Sequence, residues 1–495
     1  MGRLGAASLA GLARTIRRPS YDRTRLAVGM AHLGVGAFHR CHQSEYTDDA
    51  LEAEFGPWGE VGISIRAPQL EPTLGAQGGL YTRTLRDEGR SELRVIGCMR
   101  EVIDAQDDSN LAVTALAAPR ISIVTMTVTE KGYCHFPATG ALDLNHPDIV
   151  HDLADNGSPR SVPGVLVAAL DRRRQSGAGG LTLMSCDNIP GNGKILSNVV
   201  TALAERRSPV LAAWIAGQVR FPSSMVDRIV PATTSADLAA ATDSLGMEDR
   251  AAVVGEPFRQ WVIEDDFHGA RPRWDLAGAE LVGDVEPYEL IKMRVLNGAQ
   301  STMSYLGALV GLEYTFQDVR DPLIAGFVRR MLVDETARGL PSGAMDVPDY
   351  IELTFRRLHN TAIQHRNHQI ATDGSQKIVQ RLLNPIRACI EQGRGYDHLA
   401  AAVAAWMAYL LHGSRRFGAR WTPSDPWADR ARRIADDVGN DPLALTRAML
   451  AIEPIFGTDL SANDMFARTV ARHLQGWLVE DPRRHLASLL TATVS

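Results

Sequence analysis

Through roughly its first 284 residues the chain alternates short runs rich in β-branched residues with longer stretches of helical periodicity; beyond that point the short runs become scarce. Strands separated by helical crossovers pair in parallel, and a parallel sheet must be covered by helices on both faces. The expected strands are 27–33, 61–65, 93–96, 121–127, 181–185 and 252–254, with helices between them at 42–54, 163–175 and 194–206. Downstream, residues 288–309, 322–337, 349–358, 398–412, 426–438, 442–452 and 463–478 read as helices. The texture changes near residues 283–287. This predicts an α/β domain over residues 1–284 followed by a mainly α-helical domain over 285–495.

A length of 495 residues is ample for a large buried core, and a formal charge of −6 has the wrong sign for a phosphate-binding surface, so nucleic acid is excluded as a partner class. Five cysteines, odd in number and widely spaced, show no disulfide rhythm or metal-binding pairs; they fit a reducing, cytoplasmic setting. The longest apolar run, residues 399–411, is too short to cross a bilayer and reads as a buried helix. Residues 1–20 carry Arg3, Arg14, Arg17 and Arg18 and no acid. Because the arginine cluster follows the apolar stretch instead of preceding it, this segment is expected to be an N-terminal arm in preference to a targeting peptide.

The first expected strand runs into Gly34-Val35-Gly36-Ala37-Phe38-His39-Arg40 and then a helix. Glycines two apart at such a turn let the backbone and the helix N-terminus approach a pyrophosphate. His39 replaces the third glycine of the G-x-G-x-x-G pattern, so this segment alone serves equally well as a plain strand-to-helix turn. The second strand ends at Arg66, where dinucleotide binders often place an acid. An arginine there suits either the 2′-phosphate of NADP or the adenine face of NAD, leaving the choice open.

The pairs His39/His42 and His365/His368 lack supporting metal ligands and read as structural; no metal is expected. Gly191-Asn192-Gly193-Lys194 lacks both the first glycine and the closing Ser or Thr of a phosphate loop. In the helix expected from residue 288, Lys292, Leu296 and Gln300 fall on one stripe with Asn297 beside it. A lysine against apolar neighbours loses proton affinity and serves as a general base, while amides hydrogen-bond a developing alkoxide. By spacing alone, an ordinary surface lysine with two polar helical neighbours is the preferred reading.

These residues belong to a longer collinear set: residues 32–40; Thr129-Glu130-Lys131-Gly132-Tyr133; Ser185-Cys186-Asp187-Asn188; residues 221–231, with Val226-Asp227-Arg228-Ile229; residues 260–265; Lys292 to Asn297; and Asp373-Gly374-Ser375-Gln376-Lys377. Across most of its length the chain resembles the mannitol dehydrogenase family, the long-chain polyol and hexuronate dehydrogenases. The resemblance implies a Rossmann-type domain binding NAD, with NADP allowed, through Gly34, Val35, Gly36, Phe38 and Arg66. It also implies metal-independent hydride transfer to or from a secondary alcohol carbon of a polyol, ketose or sugar acid. Lys292 becomes the base, Asn297 and Asn188 the alkoxide-stabilising amides, Asp227 a supporting acid and Glu289 a proton relay; the expected assembly is a monomer or weak homo-oligomer.

Two positions depart from the family pattern: Gln300 stands where histidine is usual, and Gln369 where a substrate-binding arginine aligns. Glutamine donates and accepts hydrogen bonds but carries no charge. With Gln300 and Gln369 at the substrate and Lys377 the remaining candidate cation, the expected substrate is a sugar alcohol or its ketose. A hexuronate, or a sensor role without turnover, are the alternatives.

Overall fold

The computed structural model describes residues 2–66, 70–136, 139–154, 157–417 and 422–491. The chain divides into two compact units, Met1–Glu286 and Pro287–Ser495.

The strands of the first unit are β1 (Val28–Leu33), β2 (Gly59–Ser64), β3 (Tyr81–Asp87), β4 (Arg90–Ile96), β5 (Met99–Asp104), β6 (Ile123–Met126), β7 (Leu181–Ser185), β8 (Val219–Arg220), β9 (Ser224–Asp227), β10 (Val253–Gly255), β11 (Gln260–Glu264) and β12 (Glu280–Val282). Six of them form one sheet in the order β5-β2-β1-β6-β7-β8, with every neighbouring pair parallel. Counted within the sheet this is 3-2-1-4-5-6, the doubly wound order, and the direction of winding reverses between β1 and β6. β1, β2, β6 and β7 are buried along their whole length, which is why they read as continuous apolar runs. The helices Asn110–Ala117, Val162–Ser176 and Asn192–Arg207 supply Val113, Leu116, Val165, Leu166, Leu196 and Val199 to the same core. Val162–Ser176 starts on Ser161, whose hydroxyl accepts from the Gly164 amide, and stops at Gly177 with φ +71°.

Two expected strands belong elsewhere. β4 and β10, read as 93–96 and 252–254, lie in a separate sheet of order β10-β3-β4, and β9, β11 and β12 form a third. The third strand of the main sheet is instead β5, whose mostly half-exposed side chains give it no apolar run to announce it. At the N-terminus, Leu4 and Leu12 pack with Leu80, Val95 and Leu245.

The second unit is helical. Residues 399–411 lie within the helix Asp397–Phe417 and are at most 1% exposed. No helix among the described residues is long and apolar enough to cross a membrane. The single helix expected over 288–309 is three segments: α-helix Glu286–Lys292, a π-helical turn Met293–Asn297, and α-helix Gly298–Val310. The last of these packs against Asn367–Ala371, and the π turn packs against a second π turn, Val379–Leu383. Arg381 ties them, donating to Ser301 Oγ at 2.8 Å and to the Asn297 carbonyl at 3.5 Å.

Candidate active site

The two glycines after β1 do different jobs. Gly34 has φ +90°, and a Cβ there would stand 2.1 Å from the Thr127 carbonyl oxygen beyond β6. Its amide donates to Ile63 O at 2.9 Å and its carbonyl accepts from Thr127 Oγ1 at 2.7 Å, so the turn is pinned to both neighbouring strands. Gly36, with φ −86°, caps the helix Ala37–Cys41. A Cβ on Gly36 meets only Gly34 O, at 3.9 Å. The fold therefore demands glycine at 34 and merely leaves open space at 36, which is what a backbone approaching a pyrophosphate requires.

Val35 is buried, its Cγ2 2.8 Å from where a Cβ on Gly62 would lie. The Phe38 ring stacks on His42 with centroids 5.1 Å apart. At the third-glycine position, the flat His39 ring lies 3.3 Å from His32 at 13°, so a ring stack achieves the close helix-to-strand approach that glycine otherwise permits. His42 Nε2 bonds the Gln260 carbonyl at 2.9 Å, and burial pushes this imidazole down to about 3. These two histidines are structural. Arg66, beyond the end of β2, is mostly exposed and 3.8 Å from Asp148.

At the same edge of the sheet, two motifs recognised in the sequence meet. The Asp187 carboxylate accepts from the Val128 amide at 3.0 Å, the Thr129 amide at 2.9 Å and the Tyr133 hydroxyl at 2.7 Å. Asn188 follows and is exposed. Asn192 reaches back to Asp187 O at 3.0 Å and to Ser224 O at 2.8 Å, joining this corner to β9. Asp227 closes β9, only 2% exposed, in register with Gln260 of β11. The next residue, Arg228, enters a buried cluster with Glu45, where Arg83 also pairs at 2.7 Å. Gly193 is explained without a phosphate: a Cβ there would strike the Phe221 carbonyl at 2.5 Å.

In the helical unit, Lys292 is 5% exposed and Asn297 and Gln300 are each 7% exposed. In an α-helix, residues five apart point in different directions; a π turn, whose hydrogen bond runs from i to i+5, takes more residues per turn and so brings such residues back toward one face. The π turn therefore swings Asn297 toward the face that carries Lys292, where spacing alone set Asn297 to one side of the Lys292, Leu296 and Gln300 stripe. The Asn297 side-chain oxygen is buried and accepts no hydrogen bond from any described residue. Glu289 lies one turn before Lys292 and is half-buried.

Gln369 is exposed on its short helix. The Lys377 ammonium donates to Thr372 O at 2.6 Å and Ile370 O at 3.2 Å. Gly374 of the Asp373-Gly374-Ser375 motif packs where a Cβ would lie 2.5 Å from the Tyr305 hydroxyl. Sequence reasoning missed Asp187 and Tyr133: both stood in recognised motifs, but nothing local marks them as partners 54 residues apart.

A parallel sheet wound 3-2-1-4-5-6, with a glycine turn at the reversal point and open space over Gly36, defines a Rossmann-type dinucleotide-binding protein, here continued by a mainly α-helical unit. The first unit matches the mannitol dehydrogenase Rossmann domain over residues 28–276, and the second the mannitol dehydrogenase C-terminal domain over 284–478. The chain belongs to the mannitol dehydrogenase family and is an oxidoreductase of that family. It is 41% identical to an uncharacterised oxidoreductase, YeiQ, of Escherichia coli (strain K12) over 466 residues, 93% of this chain and 94% of that one. It is likewise 41% identical to the D-mannonate oxidoreductase of the same organism over 481 residues, 96% and 98% of the two chains. Among solved structures, the ternary complex of Pseudomonas fluorescens mannitol 2-dehydrogenase with NAD and D-mannitol superposes with a TM-score of 0.91 at 34% identity, covering 99% of this chain and 100% of that one.

Proposed function

We propose that the protein catalyses metal-independent hydride transfer between NAD and a secondary alcohol carbon of a sugar alcohol, interconverting a polyol and its ketose. The observation that carries this reading is a buried lysine one π turn before a buried asparagine whose side-chain oxygen lacks a partner among the described residues. Gly34 and Gly36 would hold NAD, which would supply the acceptor for the hydride. Lys292 takes the hydroxyl proton, and Glu289, one turn away, passes it toward solvent. The amides of Asn297 and Asn188 hold the substrate oxygen: an amide accepts from the alcohol O–H and donates to the alkoxide, so it follows the oxygen through the change of charge. Asp227 supports the site from the end of β9.

Gln300, and Gln369 beyond it, give the substrate neutral two-way hydrogen-bonding groups, which suit hydroxyls better than a carboxylate. Arg66 leaves room for NADP as a second cofactor. The five cysteines are all free and buried, in keeping with a cytoplasmic protein. A second reading, reduction of a hexuronate, draws support from the 41% identity to D-mannonate oxidoreductase. Against it, Lys377 already spends two of its donors on backbone carbonyls. The test is kcat/KM with NAD and NADP across pentitols, hexitols and hexuronates. A polyol should lead; a hexuronate in first place supports the second reading, and cofactor binding with no turnover overturns both.

A further inference from the structure

Asp187 is one of the most heavily engaged carboxylates in the first unit, and the mechanism above gives it no part. One oxygen accepts from the Val128 amide at 3.0 Å and the Tyr133 hydroxyl at 2.7 Å; the other accepts from the Thr129 amide at 2.9 Å. Tyr133 is fully buried, its hydroxyl also 2.5 Å from Ser185 Oγ. The backbone of Asp187 is fixed as well, donating to Ser185 Oγ at 3.3 Å and accepting from Asn192 Nδ2 at 3.0 Å. Every one of these bonds lies at the carboxyl edge of β6 and β7, and the next residue is Asn188.

The loop on the other side is held in an unfavourable shape. Thr129 has φ +63° and ψ 162°, a region that essentially only glycine enters freely. Such a conformation persists only where surrounding bonds over-determine it, and here the bond is the Thr129 amide to Asp187. Three donors converge on the carboxylate. Ionised, it offers only acceptors and satisfies all three; an asparagine in its place would turn an NH2 group toward at least one N–H or O–H. Thr127, just before this loop, is bonded to the Gly34 carbonyl, so the clamp also adjoins the cofactor turn.

We propose that Asp187 is a positioning residue: its carboxylate clamps the loop after β6 to the loop after β7 and thereby holds the Asn188 amide at the substrate oxygen. This rests on the reading of Asn188 given above. The carboxylate touches neither substrate nor cofactor; it acts through Asn188.

The test is a double-mutant cycle on the full-length enzyme, with Asp187→Asn, Asn188→Ala and the pair, reading kcat, KM for the alcohol and NADH affinity by fluorescence titration. Asp187→Asn should lower kcat about 10- to 100-fold while NADH affinity stays within about threefold. On top of Asn188→Ala it should cost less than about threefold more, because the amide it positions is already gone. Tyr133→Phe removes one donor at constant ring volume and should lower kcat about 3- to 10-fold, again without adding to Asn188→Ala. That variant carries the cycle if Asp187→Asn does not fold. A merely structural role would reduce the amount of NADH-binding protein and multiply in full with Asn188→Ala, which overturns the clamp. Wild-type kcat in Asp187→Asn, with Asn188→Ala impaired, overturns the clamp alone. Wild-type kcat in Asn188→Ala overturns the reading of Asn188 and the clamp with it.

Discussion

Adding the same methyl group at Gly34 and at Gly36, two residues apart, should have opposite consequences. At Gly34 the new Cβ would stand 2.1 Å from the Thr127 carbonyl oxygen and 2.9 Å from its carbon. Neither atom can swing away, because the Thr127 amide is bonded to Leu33 O. A side chain at φ +90° costs about 1–2 kcal/mol. Overpacking against backbone adds roughly 1–3 kcal/mol, so Gly34→Ala should destabilise the first unit by about 2–5 kcal/mol. At about 2 °C per kcal/mol for a unit of this size, its melting transition should fall by roughly 4–10 °C. At Gly36 the nearest atom to a Cβ is 3.9 Å away and φ is −86°. Gly36→Ala should melt at or slightly above the wild-type temperature, since the unfolded chain loses freedom worth about 0.4–1 kcal/mol. Its penalty should appear only with cofactor: the methyl holds the backbone off the pyrophosphate, and losing ~1.4 kcal/mol weakens NADH binding about tenfold; Gly36→Val should do worse. Calorimetry without cofactor and NADH fluorescence titration separate the two effects. NADH affinity unchanged in both Gly36 variants would move the cofactor site elsewhere, and an unshifted melt in Gly34→Ala would refute the steric argument.

Lys292→Ala should lower kcat for alcohol oxidation by ~10²–10⁴ while NADH affinity stays nearly intact; near-wild-type turnover ends the role of base. Gln369→Arg supplies a charged partner worth about 1.5–3 kcal/mol to a carboxylate, so the ratio of kcat/KM for a hexuronate over its matching ketose should rise about 10- to over 100-fold. A ratio unmoved by the arginine removes Gln369 from the substrate pocket. In the helical unit, burial pushes the Asp318 carboxyl up to about 8, with the Asn367 hydrogen bond pulling the other way and the Asp321 charge pushing up. The native form thus keeps a proton that the unfolded chain gives up, so this group's stabilisation is lost as pH rises from about 4 toward 8. Asp318→Asn should raise the melting temperature of the second unit by a margin that grows over that range, and a margin independent of pH contradicts the assignment.

Much of the fold was legible because it is written in local pattern. A strand buried on both faces must be mostly apolar, so β1, β2, β6 and β7 stand out in the sequence. Residues 399–411 show themselves as a buried helix for the same reason. The glycine turn was equally visible, although nothing in the sequence distinguished Gly34, which the fold requires, from Gly36, which it merely permits.

Pairing partners are a different matter, because they lie far along the chain. β4 and β10 look like the strands of the parallel sheet, yet they pair with β3, while β5 joins the main sheet with most of its side chains only half-buried. The same holds for the site. Asp187 and Tyr133 are 54 residues apart, and only the juxtaposition of β6 and β7 makes one the partner of the other. A spacing of five between Lys292 and Asn297 looks wrong for an α-helical face; a π turn, packed on a second one, brings the two nearer to one face than an α-helix would. Sequence by itself determined the elements with a strong local period, such as β1, β2, β6, β7 and the helix over 399–411, and which chemical groups the chain carries, since those follow from local periodicity and residue type. Tertiary structure alone decided which groups share a face and which backbone amides a buried carboxylate holds, since those depend on contacts that the chain makes only once it has folded.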